Sequence, residues 1–237
     1  MKIMNDNLIQ IAVTFWNRFS SRLDCLKRVF HSLEENMNFG KYRHQWIISS
    51  ESDRCENRED VETFFKQNNI IYAWKEGKAS LASNLNNVLK MCSAPLIIYL
   101  QDDWELIHKI DIEKDADFLL SSPYDLIRLR YHDAEINKMK LINKDLQLYE
   151  IEHAAINLYS DQPHLKKLSF HNNFGYFPES TWRGYDSGDC EIKFNGMIQM
   201  SSARLLYKNI GYNIFAHISE QTTLKEKWEG WHKCYPK

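Results

Sequence analysis

The sequence predicts an α/β protein in which a largely parallel sheet, covered on both faces, leads into a second half of α+β character. Three observations point there. Short apolar, β-rich runs alternate with segments of helical hydrophobic spacing from residue 9 to residue 104. The last of those runs, Leu96 to Leu100, is apolar without interruption, which is how a strand buried on both faces reads. Beyond about residue 105 the alternation fades into β-like runs separated by long loops.

The elements follow in order. "IQIAVTFW" (9–16) reads as a strand, and "NRFSSRLDCLKRVFHSLEEN" (17–36) places Leu23, Leu26, Val29, Phe30 and Leu33 on one helical face. "HQWIISSESD" (44–53) is a strand running into a polar loop, and "RCENREDVETFFKQN" (54–68) is helical. "IIYAWKE" (70–76) is a strand, "ASLASNLNNVLKMC" (79–92) a helix and "PLIIYLQDD" (95–103) a strand again. Later, "DLIRLRYH" and "LQLYEIEHAAINLYS" read as strands, before the aromatic "FGYFPESTWRGYDSGDCEIKF" (174–194). Ligands of open α/β sheets bind beyond the carboxyl ends of the strands. Here those ends carry Thr14, Asn17 and Arg18, then Glu51 and Asp53, then Lys75 and Lys78, then Gln101, Asp102 and Asp103, all expected on one rim.

Composition narrows the function classes. With 43% hydrophobic and 26% charged residues in 237, the chain resembles an ordinary soluble protein and can bury a substantial core. A net charge of −2 and a pI of about 6.5 provide no general attraction for nucleic acid. Five cysteines, widely spaced and without a CxxC pair, argue against a zinc knuckle or a disulfide framework and suit a reducing cytosol. The N-terminus interrupts any signal-like run with Asn5, Asp6 and Asn7, and no stretch reaches the roughly 18 apolar residues of a membrane span. A cytoplasmic location is expected, with possible peripheral membrane contact through the tail "LKEKWEGWHKCYPK", where lysines alternate with Trp228 and Trp231. Dinucleotide and P-loop glycine fingerprints are missing, so a nucleotide would be held by other means.

The chemistry concentrates in "IIYLQDDW" (97–104). Adjacent carboxylates in a poorly solvated cleft raise each other's pKa unless a cation compensates. A divalent metal is the simplest such cation, since Mg²⁺ and Mn²⁺ combine one or two carboxylates with phosphate oxygens and water. The plainer alternative is that Asp102 and Asp103 cap the next segment or pair with lysines.

The order of pieces resembles GT-A glycosyltransferases, family-2-like enzymes in particular. The matching segments are "TFWNR" (14–18), "SSESD" (49–53), "ASLASNLNNVL" (79–89) and a "QDD" at the DxD position. The resemblance implies a GT-A fold in one domain, with a Rossmann-like nucleotide-sugar half (1–104) on a mixed, mainly parallel sheet and an α+β acceptor half (105–237). It implies transfer of a sugar from a nucleotide-diphosphate donor, a UDP-sugar first among them, to a glycan or other hydroxyl acceptor, with inversion and with Mn²⁺ or Mg²⁺. By position, Thr14 and Arg18 would line the nucleotide pocket, Asn84 would face the nucleotide or the diphosphate from its helix, Asp53 would accept from the base N–H, and Gln101 and Asp102 would face the ribose. Asp102 could serve a nearby cation instead. Asp103 would hold the metal, with His217 of "YNIFAHISEQ" as a further ligand. Gln101 departs from the family's first acid: it can hydrogen-bond but adds no charge.

An acceptor hydroxyl needs a positioned base. Glu179, Asp186, Asp189 and Glu191 are the acidic candidates. Glu191 is preferred and Asp189 second, because "SGDCEIKF" resembles the family's acidic pair or triplet opening a helix, where the dipole would keep a carboxylate ionised. Trp104 and Trp182 are the aromatic candidates for packing on an acceptor sugar. Two other readings remain at this level: a metal-dependent nucleotidyl- or phosphotransferase, which would need a second carboxylate cluster, and a GT-A-like module that binds nucleotide sugars without turnover.

Overall fold

A computed structural model describes residues 7–16, 21–51, 57–76, 80–129, 139–152, 155, 158–160, 162–179 and 187–218. The first half runs β1 (Leu8–Phe15), α1 (Ser21–Asn36), β2 (Met37–Asn38), β3 (Arg43–Glu51), α2 (Arg58–Gln67), β4 (Ile71–Lys75), α3 (Leu81–Met91) and β5 (Leu96–Gln101). The second half runs β6 (Trp104–Leu106), β7 (Ile110–Asp111), α4 (Glu113–Ser121), β8 (Leu126–Arg128), β9 (Lys140–Asn143) and β10 (Leu148–Glu150). It continues through β11 (His164–Lys167), α5 (Ser169–Phe174), α6 (Ser187–Gln199), β12 (Leu205–Lys208) and β13 (Phe215–His217).

Among the described residues nine strands form one mixed sheet in the order β4-β3-β1-β5-β11-β8-β12-β10-β9. The four strands of the first half are mutually parallel, as their alternation with helices requires. β11 then inserts antiparallel between β5 and β8, and β12 runs parallel to β8. Among its described residues, the run read as a strand over 146–160 contributes Leu148–Glu150 to the sheet, and β11, with the polar sequence His-Leu-Lys-Lys, takes a central position.

Side-chain alternation divides the core. Ile9, Ile11, Val13 and Phe15 of β1 face Leu26, Val29 and Leu33 of α1, Val61 and Phe65 of α2 and Leu119 of α4. Ala12 of β1, Ile47 of β3 and Ile97 and Tyr99 of β5 face Leu85 and Val88 of α3, Phe170 of α5 and Phe194 and Ile198 of α6. Each fully buried aliphatic or aromatic side chain contributes about 1.5–3 kcal/mol. Helix α3 starts where it does because Ser80 accepts from the Ser83 N–H at 3.1 Å while the Ser83 hydroxyl accepts from the Ser80 N–H at 2.9 Å. That reciprocal cap is worth about 1 kcal/mol. Among the described residues no helix is long and apolar enough to cross a membrane.

Candidate functional site at the carboxyl ends of the parallel strands

Parallel pairing brings the strand ends to one rim. Thr14 lies beside Ser49 on β3 and Gln101 on β5, and Glu51 lies beside Lys75 on β4. At the end of β5 the chain turns through Asp102 and Asp103 into β6. That strand pairs antiparallel with β13, placing Trp104 opposite His217. A second tie, from the Ile218 N–H to the Asp103 carbonyl at 2.9 Å, fixes the returning strand. Residues more than a hundred positions apart in sequence thus meet: His217 Nε2 is 3.2 Å from Asp103 Oδ2. The Trp104 ring, itself buried, packs on the imidazole with centroids 4.7 Å apart.

Both carboxylates are buried, Asp102 at 1% exposure and Asp103 at 6%, and their counter-charge comes from within the chain. Arg22, the second residue of α1 and itself 5% exposed, donates from Nε to Asp102 Oδ2 at 3.0 Å and from Nη2 to Asp102 Oδ1 at 2.5 Å. It also donates to Asp103 Oδ2 from Nη1 at 3.2 Å and from Nη2 at 3.3 Å. The Trp16 N–H adds a bond to Asp102 Oδ2 at 3.3 Å. The two acids therefore differ. Asp102 has both oxygens occupied; Asp103 has Oδ2 shared by Arg22 and His217 while Oδ1 is buried with no hydrogen-bond partner.

Their acidities diverge for the same reasons. Burial pushes Asp102 up to about 7 against the pull of Arg22, and the Asp103 charge adds to the rise. Burial would also raise Asp103, but the His217 hydrogen bond and the Arg22 charge outweigh it and hold the group below the ordinary carboxylate value. Desolvation opposes the charge on Arg22, yet the two carboxylates raise its pKa above the usual arginine value, so it stays protonated. Arg22 was not singled out in the sequence. The signal was available: it is the polar residue just before Leu23 on a helix whose start the strand order brings to the rim.

The capacity for a metal follows from this set. Asp103 Oδ1 is an unused buried acceptor, and His217 Nε2 lies next to it, a carboxylate-imidazole pair suited to Mn²⁺ or Mg²⁺ when phosphate oxygens and water complete the shell. Among the described residues no third His, Cys, Asp or Glu joins them.

The other expected residues fall as follows. Thr14 is buried, with Oγ1 3.1 Å from the Tyr99 hydroxyl. Asn84 is buried in α3, where its Oδ1 accepts from the Ser49 hydroxyl and its Nδ2 reaches the Phe15 carbonyl at 3.5 Å. It joins α3 to β1 and β3 just below the rim. Gln101 is half-buried at the end of β5. Glu191 is half-buried in the second turn of α6, one residue past the first turn where a helix dipole acts most strongly. Glu179 is held by the Asn86 amide at 3.0 Å, and the same side chain clamps the Phe177 backbone through both its N–H and its carbonyl. Asn17, Arg18, Asp53, Lys78, Trp182, Asp186, the Asp189 side chain and the tail with Trp228 and Trp231 lie outside the described residues.

With this geometry in place, comparison with known proteins defines a class by fold. No protein-family model and no curated protein sequence matches the chain. Solved structures do: S. aureus TarS 1–349 superposes with a TM-score of 0.62 at 13% identity, covering 90% of this chain and 61% of that one. GalNAc-T7, solved with UDP, GalNAc and Mn²⁺, gives 0.63 at 13% identity over 85% of this chain and 42% of that one. The mannosyltransferase PcManGT from Pyrobaculum calidifontis, solved with GDP-Man and Mn²⁺, gives 0.59 at 11% identity over 87% and 56%. The chain has the GT-A fold of these glycosyltransferases. It spans less than two thirds of the length of each of the three.

Proposed function

We propose that the chain is a nucleotide-sugar glycosyltransferase of the inverting, metal-dependent kind. One observation carries the reading: on a GT-A sheet, at the rim where such folds take ligands, Asp103 and His217 converge with a buried carboxylate oxygen left for a further partner. In this reading Asp103 and His217 hold Mn²⁺ or Mg²⁺, which when bound offsets the charge of the departing diphosphate. Asp102 anchors Arg22 and so orients its neighbour. Gln101 offers its amide to the ribose, and Thr14, Arg18, Asp53 and Asn84 shape the nucleotide pocket. Trp104 backs the His217 ring, and Trp182 contacts the acceptor.

Transfer then requires a base at the opposite face of the sugar. Glu191, or Asp189 in its place, takes the proton from the acceptor hydroxyl as the new glycosidic bond forms and the bond from the sugar to the diphosphate breaks. Helix α6 rests on α3 through Phe194 and Ile198 against Leu85 and Val88, so a base on α6 is referenced to the same helix that carries Asn84. A UDP-sugar is the first donor to test.

The decisive assay incubates the protein with Mn²⁺ and a panel of UDP-, GDP- and dTDP-sugars and follows release of free sugar and nucleoside diphosphate. Slow hydrolysis of one donor is expected. Glu191→Gln is expected to abolish transfer while donor binding, read by thermal shift, stays nearly intact. Normal turnover by that variant would move the base elsewhere, and release of sugar 1-phosphate in place of free sugar and nucleoside diphosphate would replace transferase by nucleotidyltransferase.

A further inference from the structure

A carboxylate pair that waits for a divalent ion carries two negative charges; this one already has a guanidinium. Arg22 is buried, its five donor positions are spent largely on Asp102 and Asp103, and its ring neighbour Trp16 lies 5.5 Å away, shielding it further. The division of contacts is uneven. Toward Asp102 the arginine makes a two-pronged fork, with the Trp16 N–H completing the shell of that carboxylate. Toward Asp103 it makes only the longer contacts, 3.2 and 3.3 Å, both to Oδ2, the oxygen that His217 also approaches.

We propose that Arg22 is a resident counter-cation that competes with the divalent ion for Asp103, so that metal entry exchanges the Arg22–Asp103 contact while the Asp102 fork keeps the guanidinium at the rim. The inference rests on the metal-dependent reading of the site and adds a property to it. Two cations sharing one carboxylate repel strongly where water is scarce. An ion held by Asp103 and His217 must therefore displace the weaker Arg22 contact or bind against its charge. Asp102 then has a role that explains its position: it stores the arginine during the exchange instead of ligating the metal. Gln101 fits the same accounting, since a resident arginine reduces the negative charge that a third acid would otherwise supply. Arg22 is accordingly a positioning residue, setting the affinity of Asp103 for a cation.

The test reads metal binding alone, without donor or turnover. Free Mn²⁺ is titrated by electron paramagnetic resonance against the full chain and its Arg22→Gln and Arg22→Lys variants. Loss of the competitor is expected to tighten Mn²⁺ binding by about tenfold or more in Arg22→Gln. Arg22→Lys, which keeps the charge but cannot make the two-pronged fork, is expected to fall between. Adding Asp103→Asn to Arg22→Gln should remove the gain. A residue with only a structural role would leave Mn²⁺ affinity unchanged or weaken it on removal, and either result in folded Arg22→Gln overturns the proposal. Should Arg22→Gln fail to fold, unchanged affinity in Arg22→Lys overturns it equally, as does absence of Mn²⁺ binding in all three proteins. Mn²⁺ binding that follows the expected order in a protein that turns over no nucleotide sugar would remove the transferase reading and leave this one standing.

Discussion

Lys166 offers the sharpest quantitative test of how this sheet is held together. It is fully buried on β11, its Nζ 2.8 Å from His171 Nε2 and 5.2 Å from the Tyr99 ring centroid, with His164 on the same strand and face. Burial lowers its pKa from 10.5 to about 7, with the Cys92 thiol pulling weakly the other way. The folded protein thus binds the lysine proton less tightly than the unfolded chain does. Stability from this group is absent at low pH and grows as pH rises from the folded value toward the unfolded one. At about 1.4 kcal/mol per pH unit, a fall from 10.5 to about 7 corresponds to on the order of 5 kcal/mol lost below neutrality. Cys92, whose thiol burial raises from 9.0 to about 12, offsets the trend above pH 9, so pH 7 to 9 isolates the lysine. Across that window the unfolding free energy of the natural protein should gain on the order of 2 kcal/mol more than that of Lys166→Met. Methionine keeps the volume and removes the charge, at about 1 kcal/mol for leaving His171 Nε2 unpartnered. The variant should therefore be the more stable of the two at pH 7. Urea denaturation followed by circular dichroism at three pH values reads both curves. Parallel curves from pH 7 to 9 would mean that Lys166 titrates as an exposed lysine does, and the argument from burial would fail.

Two further outcomes follow from other groups. His217→Ala should weaken Mn²⁺ binding by about tenfold or more, since even supporting residues of metal sites have effects of that size; unchanged affinity in a Mn²⁺ titration would remove His217 from the proposed metal site. Lys208 and Asp115 form a buried pair, Nζ to Oδ1 at 2.7 Å, that ties β12 to α4. Lys208→Met should cost about 3 to 5 kcal/mol by stranding the carboxylate, and adding Asp115→Leu should recover most of it; a double-mutant cycle in urea without coupling would show that the pair does not act as a unit.

The parallel half was legible because its signals are local. Apolar strands alternate with amphipathic helices, and the polar residues collect at strand ends, so β1, β3, β4 and β5 and their common rim could be read from period and composition. Asp102 and Asp103 stood out for the same reason. Their environment did not, because it is made by residues distant in sequence: Arg22 arrives 80 positions upstream and His217 through the β6–β13 pairing. Two adjacent carboxylates imply a compensating cation, which the sequence offers as a metal or a lysine and which the structure supplies as the arginine of α1.

β11 shows the boundary most plainly. Nothing in "HLKK" (164–167) marks a central strand, since His164, Lys166 and Lys167 are residue types that rarely face a core. In the fold, β11 pairs with β5 and β8 and closes the sheet between the two halves, with His164 and Lys166 buried among Tyr99, Tyr159 and His171. The backbone hydrogen bonds to two neighbours and the aromatic covering outweigh the cost of desolvating one amine, which sheds its proton more readily as a result. Period and composition by themselves determined the alternating α/β half and the acidic strand end, because burial of apolar stripes is a nearest-neighbour property of the chain. The cation that answers those acids, the histidine that joins them and the charged strand at the centre of the sheet were decided only by tertiary structure, because each depends on partners that sequence distance conceals.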